Sequence, residues 1–268
     1  MAVASLDATL EAVPARPKTA AGAFPDLALR GLRKSFGGVE ILCGVDLEIA
    51  KGRSVALIGA NGSGKSTLMR CCLRLLDPDG GTIRLLGSDI TKLNGRALRR
   101  LRARVGFVFQ KHNLVPRLSV LSNVLHGAQA RRGGPSTWFQ GLARTEDREE
   151  AMHCLDLVGL ADQAAKRADT LSGGQSQRVA IARALMQRPH MVFADEPVAS
   201  LDPAAGEDVM ALFANLMQDQ NVTLFFTSHH LNHALDFADH LIALQSGRKV
   251  LDGVSAGQNL ATLKSIYQ

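Results

Sequence analysis

The sequence predicts an α/β fold built on a mostly parallel sheet, on three observations. Met191–Ala194, Val222–Thr227 and Leu241–Leu244 are short, continuously apolar runs, the form taken by strands buried on both faces. These runs alternate with segments of helical period, as where Leu68, Cys71, Cys72 and Leu75 recur at i, i+3, i+4 and i+7. A glycine-bearing turn, Gly59–Gly64, joins the strand-like Ser54–Ile58 to that helix, the order of a parallel strand–helix unit.

The elements follow in sequence. Residues 1–25, rich in Ala and Pro, read as a flexible tail in which Leu6, Leu10 and Val13 would line one face of a short helix. Asp7 and Glu11 interrupt the apolar run that a secretion signal needs. From Leu27 onward β-like runs begin, with strands at Val45–Ile49 and Ser54–Ile58. The helix carrying Leu68 to Leu75 is expected to stop at Asp77-Pro78-Asp79-Gly80-Gly81, a strong turn signal. Thr82–Leu86 and Val105–Phe109 are again strand-like. Between Gln110 and Ser172 the period is helical, with a break at Arg131–Thr137. A helical region of about sixty residues therefore interrupts a single α/β core.

Composition excludes several classes. With 268 residues the chain is long enough for one sizeable core. Its 46% apolar and 21% charged content is that of an ordinary soluble protein. No stretch approaches the roughly 18 apolar residues of a membrane-spanning helix. Cys43, Cys71, Cys72 and Cys154 form no CxxC pair, as expected of reduced, cytoplasmic thiols. The net charge of +6 and pI near 9.4 are too small an excess to identify nucleic acid or anionic lipid as a partner. Arg96, Arg99, Arg100, Arg102 and Arg104 crowd one segment, but Leu98, Leu101 and Val105 give it an apolar stripe, so it reads as a solvated helix face. His229, His230 and His233 lack the Cys or HExxH company of a zinc site.

Three motifs carry chemistry. Gly59-Ala60-Asn61-Gly62-Ser63-Gly64-Lys65-Ser66-Thr67 fits G-x-x-x-x-G-K-[ST] between a strand and a helix. Its glycines let successive N–H groups point into one concavity, which with the following helix N-terminus suits a phosphate chain. Lys65 supplies a cation for the terminal phosphates, and the Ser66 hydroxyl can ligate Mg²⁺. Second, the apolar run from Met191 ends in Asp195 and Glu196. A carboxylate at a buried strand end suits Mg²⁺, which fits Asp195, and a second beside it can deprotonate water, which fits Glu196. Third, Leu171-Ser172-Gly173-Gly174-Gln175 contains a capping box, Ser172 to Gln175, opening a helix that runs to about Gln187. Capping does not call for two glycines, and bare backbone beside a serine hydroxyl at a helix start is an anion site.

In that order, the phosphate loop, LSGGQ and the run ending Asp195-Glu196 resemble the ATP-binding subunit of an ABC transporter, over about residues 27 to 250. The resemblance implies a P-loop NTPase core of ABC ATPase type in residues 26–268, with an antiparallel N-terminal β region and a helical subdomain inserted at about 111–172. It places Phe36 on adenine, Gln110 on Mg²⁺ and the attacking water, Ser200-Leu201-Asp202 in the D-loop, and His229 on the γ-phosphate. Taken alone, Phe36 is compatible with a core aromatic and Gln110 with a surface residue. Asp202 followed by Pro203 also makes a helix N-cap and N1 pair.

By the same resemblance two copies pair head to tail, each ATP lying between the phosphate loop of one and Ser172–Gln175 of the other. The implied cofactors are ATP and Mg²⁺. The implied partners are a second copy, transmembrane permease subunits and, indirectly, a periplasmic substrate-binding protein, with no nucleic acid. The chain would lie on the cytoplasmic face of the bacterial inner membrane. Asn113-Leu114-Val115, Arg117–Leu125, Glu196–Pro203 and Trp138-Phe139 are similar to the phosphonate-importer branch, while Ser176 and His230 depart from the usual pattern. Another cargo, such as an amino acid or a released lipoprotein, is the alternative within transport. A soluble ABC ATPase acting on DNA or ribosomes is the alternative outside it, and the single phosphate loop weighs against that.

Overall fold

The computed structural model describes residues 24–132, 141 and 143–264. Residues 1–23, Trp138-Phe139 and most of the Arg131–Thr137 break therefore lie outside the described residues.

The chain opens with a hairpin, β1 (Leu27–Phe36) and β2 (Val39–Ile49), before β3 (Ser54–Ile58) and α1 (Lys65–Cys72). It continues through β4 (Gly80–Leu85), β5 (Ser88–Asp89), α2 (Gly95–Arg102) and β6 (Val105–Val108). The inserted helices are α3 (Val120–Leu125), α4 (Gln129–Arg132) and α5 (Thr145–Leu157). Then follow α6 (Gly173–Leu185), β7 (Met191–Ala194), α7 (Pro203–Asp219), β8 (Thr223–Thr227) and α8 (Leu231–Phe237). The described chain ends with β9 (His240–Gln245), β10 (Arg248–Val254) and α9 (Leu260–Lys264).

The strands form two sheets. A small one runs β2-β1-β4-β5, with every pairing antiparallel. The larger runs β10-β9-β3-β8-β7-β6, parallel throughout except where β10 returns along β9. Alternation along the large sheet explains the continuous apolar runs in the sequence. Val55, Leu57, Met191, Phe193, Phe225, Ile242 and Leu244 point into a core shared with α1, α2 and the small sheet. Ala56, Ile58, Val192, Ala194, Leu224, Phe226, Leu241 and Ala243 face a second core under α3 and α5 to α8. Both faces are covered, so neither can be polar.

Two boundaries differ by several residues from the sequence expectation: β2 begins at Val39, six residues before the expected Val45, and the first helix is shorter than expected. The first helix ends at Cys72 and does not reach Asp77, and Leu75 is half exposed instead of joining the stripe. The reason is tertiary. Arg102 of α2 donates Nε to the Leu73 carbonyl at 2.7 Å, capping the helix end, and the chain reverses at Arg74 with φ +50°. The Arg74 guanidinium then bonds the carbonyls of Ile90 (2.8 Å) and Leu93 (2.9 Å). Gly80 and Gly81 open β4 and do not form the helix stop.

Candidate functional site

The carboxyl ends of β3, β8 and β7 lie side by side, the crevice in which open α/β sheets place ligands. From β3 the chain enters the glycine loop. Gly59 adopts φ +149°, and a Cβ there would stand 2.2 Å from the Leu244 carbonyl oxygen, so only glycine lets the backbone turn back here. Lys65, at the first turn of α1 and 6% exposed, reaches back across the loop. Its Nζ donates to the Gly59 carbonyl at 2.7 Å and to the Ala60 carbonyl at 3.1 Å. Burial lowers its ammonium pKa below the ordinary value, and the nearby carboxylates of Glu196 and Asp195 oppose that shift. Asn61 and Gly62 are exposed at the loop tip, and Ser63 and Gly64 are buried beneath it.

The end of β7 is wired to the loop through one carboxylate oxygen. Asp195 Oδ1 accepts from Ser66 Oγ at 3.1 Å and from Thr227 Oγ1 at 2.9 Å. Thr227 Oγ1 in turn accepts from the Glu196 N–H at 2.8 Å. Glu196 holds φ +48°, a conformation uncommon for a side chain with a Cβ, and that hydrogen bond helps fix it. Its Oε2 stands 3.8 Å from His229 Nδ1. Thr227 was not among the residues singled out from sequence. Its signal was a threonine closing a buried strand beside the Asp195-Glu196 strand.

The donor set suits Mg²⁺. Ser66 Oγ and Asp195 Oδ1 are hard oxygen donors held 3.1 Å apart. Asp195 N bonds the Val108 carbonyl at 3.0 Å, which brings the end of β6, two residues before Gln110, alongside. The Gln110 side chain is exposed and makes no hydrogen bond to either residue among the described ones.

A family model described as ABC transporter matches residues 42–199, which include the loop, the capping-box segment and both acids. The chain belongs to the ABC transporter ATP-binding family. It is 44% identical over 243 residues to the phosphonates import ATP-binding protein PhnC of Thiobacillus denitrificans, covering 90% of this chain and 92% of that one. It is 46% identical to the phosphate-import ATP-binding protein PhnC of Mycolicibacterium smegmatis, covering 89% and 90%. Among solved structures it resembles a dimeric bacterial ABC transporter cassette, MJ0796, with a TM-score of 0.75 and 32% identity over 85% of this chain and 98% of that one.

The remaining residues matched to ABC ATPases lie apart from this cluster. Phe36 ends β1, about half exposed, with Lys34 Nζ 5.3 Å from its ring centre. Ser172 caps α6. Its hydroxyl accepts from Gln175 N at 3.3 Å, and Gln175 Oε1 accepts from Ser172 N at 3.0 Å, the capping box expected from sequence. No hydrogen bond or ion pair joins Ser172–Gln175 to Ala60–Thr67 among the described residues. Asp202 caps α7 through Ala205 N at 3.0 Å, with Pro203 as the first helical residue. Gly173 packs against Leu201, so the capping-box segment and the segment Ser200–Asp202 touch each other.

Two residues that sequence reasoning did not single out hold the segment after Gln110. Arg183 of α6 donates to the carbonyls of Asn113 (2.7 Å) and His112 (2.8 Å). Fully buried Asn123 of α3 accepts from Val115 N at 2.7 Å and donates to the Ser119 carbonyl at 3.0 Å. The helix that carries Ser172–Gln175 at its start is thus tied to the strand-end segment beside Asp195. The rings of His229, His230 and His233 lie in a row, tilted to one another, with centres 4.2 and 5.1 Å apart. No group of three His, Cys, Asp or Glu is arranged to hold a metal ion among the described residues. No helix of the described residues is long and apolar enough to cross a membrane.

Proposed function

We propose that this chain is the ATP-hydrolysing, energy-coupling subunit of a bacterial importer for phosphonates. It would work as a head-to-tail pair on the cytoplasmic face of the inner membrane, beside permease subunits fed by a periplasmic binding protein. The observation that carries the catalytic part is the continuous link from Ser66 through Asp195 and Thr227 to Glu196, with His229 facing it. Phosphoryl transfer needs positioning and charge stabilisation more than covalent chemistry, and this link positions an acid beside the phosphate loop.

The loop N–H groups and Lys65 bind the β- and γ-phosphates, and Phe36 offers a face for the adenine. Ser66, Asp195 and Gln110 would hold Mg²⁺, which neutralises phosphate oxygen charge when bound. Glu196 accepts the proton of the attacking water, and its fixed backbone aims the carboxylate. His229 donates toward the γ-phosphate, where charge develops. Ser172–Gln175 of the second copy completes the anion site, and Asp202 lies at the shared face.

The cargo rests on relatives. One is named for phosphonates and one for phosphate, so phosphate import is the second reading. Deleting the gene in its host and growing the strain on methylphosphonate or on phosphate as sole phosphorus source separates them. Loss of growth on methylphosphonate alone is the expected result. Loss on phosphate alone favours the second reading, and unimpaired growth on both overturns the cargo assignment.

A further inference from the structure

The charge of this chain is concentrated in one place. Between Ile90 and Arg104 stand Lys92, Arg96, Arg99, Arg100, Arg102 and Arg104, with no acidic residue. Six of the 31 basic residues and none of the 25 acidic ones fall there, so the rest of the chain is neutral.

The local structure turns that segment into a rigid cationic face. Asn94 caps α2 by accepting from Ala97 N at 2.9 Å. Leu98 and Leu101 are buried against the core, and Arg102 folds under to the end of α1. Arg96, Arg99 and Arg100 are left at i, i+3 and i+4 on the outer side, with Arg104 just beyond the helix, and all four are exposed. Their side chains make no hydrogen bond or ion pair among the described residues. Elsewhere no such cluster forms: Arg30 pairs with Glu48, Arg33 with Glu40, Arg167 with Asp169 and Arg188 with Glu150, and the exposed arginines without an ion pair among the described residues, such as Arg70, Arg84 and Arg248, are scattered along the chain.

We propose that this face is a membrane-contact surface that binds the phosphate groups of anionic phospholipids. The proposal rests on the reading of the chain as a peripheral importer subunit. Guanidinium groups match phosphate oxygens with paired donors and shed water more easily than ammonium groups. The apolar stripe of α2 is already spent on the protein core, so contact is electrostatic at the headgroups and involves no insertion. Nucleic acid fits less well, because residues 90–104 contain no Phe, Tyr or Trp on which a base would stack.

Each arginine near an anionic surface strengthens binding about fivefold, so neutralising three weakens it about a hundredfold. The test is co-sedimentation of the full chain with vesicles of phosphatidylglycerol and phosphatidylcholine, against phosphatidylcholine alone, at low and high salt. ATP hydrolysis is assayed on the same samples. The wild type is expected to pellet only with the anionic vesicles and to release in salt. The variant Arg96→Gln/Arg99→Gln/Arg100→Gln is expected to bind about a hundredfold more weakly. Arg104→Gln, outside the helix and unable to fray it, is expected to bind about fivefold more weakly. Hydrolysis should be unchanged in both variants.

Equal binding to both vesicle types, or wild-type binding by the triple variant, overturns the proposal. Tighter binding to duplex DNA at equal phosphate concentration replaces lipid with nucleic acid. Binding that appears only with acidic permease present replaces lipid with a protein segment. A wild type that hydrolyses ATP yet ignores anionic vesicles overturns this surface alone, whereas one that fails to hydrolyse ATP overturns the catalytic reading.

Discussion

The loop around Lys65 and the segment Ser172–Gln175 are both glycine-bearing helix starts, yet the structure treats them differently. The first is sunk at the ends of buried strands and joined by side-chain hydrogen bonds to residues about 130 and 160 positions away, Asp195 and, through it, Thr227. The second has exposed Ser172 and Gly173 at its start, and its side-chain hydrogen bonds among the described residues lie within its own capping box. One is preorganised by distant parts of its own chain, and the other is a capped helix start that packs on Leu201 and leaves Ser172 and Gly173 exposed. On the proposed head-to-tail pairing the difference has a simple cause. The first half-site must hold phosphate in the monomer, while the second acts only when another copy arrives.

The largest effect is expected at Lys65. Replacing it with Ala removes the cation that the loop sets against the phosphates, and tight MgATP binding is expected to vanish with the fold intact. Isothermal titration calorimetry checks this, and wild-type affinity in the variant would contradict the site. Glu196→Gln comes next. It keeps the shape and loses the base, so hydrolysis should fall about 10²–10⁴-fold while ATP still binds. With hydrolysis blocked, the variant should elute as a dimer in MgATP and as a monomer without it. Ser172→Arg tests the other region alone. It should abolish that ATP-dependent dimer in the Glu196→Gln background while leaving monomeric ATP binding in place. A dimer that survives Ser172→Arg would mean that the exposed segment is not the completing half.

Two smaller effects sharpen the contrast. Thr227→Val deletes the hydroxyl that joins Asp195 to the Glu196 N–H. Asp195 keeps its bond from Ser66, but leaving the Glu196 N–H unpaired should cost about 1–3 kcal/mol. That should lower the melting midpoint by about 2–4 °C per kcal/mol, whereas Gln175→Ala at the exposed segment should shift it less. The smallest effect is pH-dependent. His112, His230 and His233 have folded pKa values below 6.5, chiefly because burial penalises the charged ring. Well above pH 6.5 these rings are neutral in both the folded and unfolded chain and add no pH dependence. As pH falls through that value the unfolded chain binds protons that the folded chain resists, so stability is lost toward acid. Thermal melts across this range should show a monotonic decline that His112→Gln reduces.

Much of the site was legible because its chemistry is local. Lys65 and Ser66 are fixed by an eight-residue pattern, Asp195 and Glu196 by an apolar run that ends in acids, and the Ser172 cap by its spacing to Gln175. Thr227, Arg183 and Asn123 were not legible. Each works through a partner distant in sequence or through a main-chain carbonyl, and neither leaves a periodic trace. The misplaced end of α1 has the same origin, since the cap on Leu73 comes from Arg102, 29 residues later.

The α/β class, the four central strands of the parallel sheet and the glycine loop with Lys65 and Ser66 can all be read along the chain. Apolar runs, turn residues and short motifs report on neighbours along the chain. Only the tertiary structure decided that Thr227 joins Asp195 to Glu196, that Arg183 ties α6 to the segment after Gln110, and that four arginines near α2 stand unpaired. Those facts depend on which strands lie side by side and which surfaces are covered, and packing sets both across distances that local pattern does not encode.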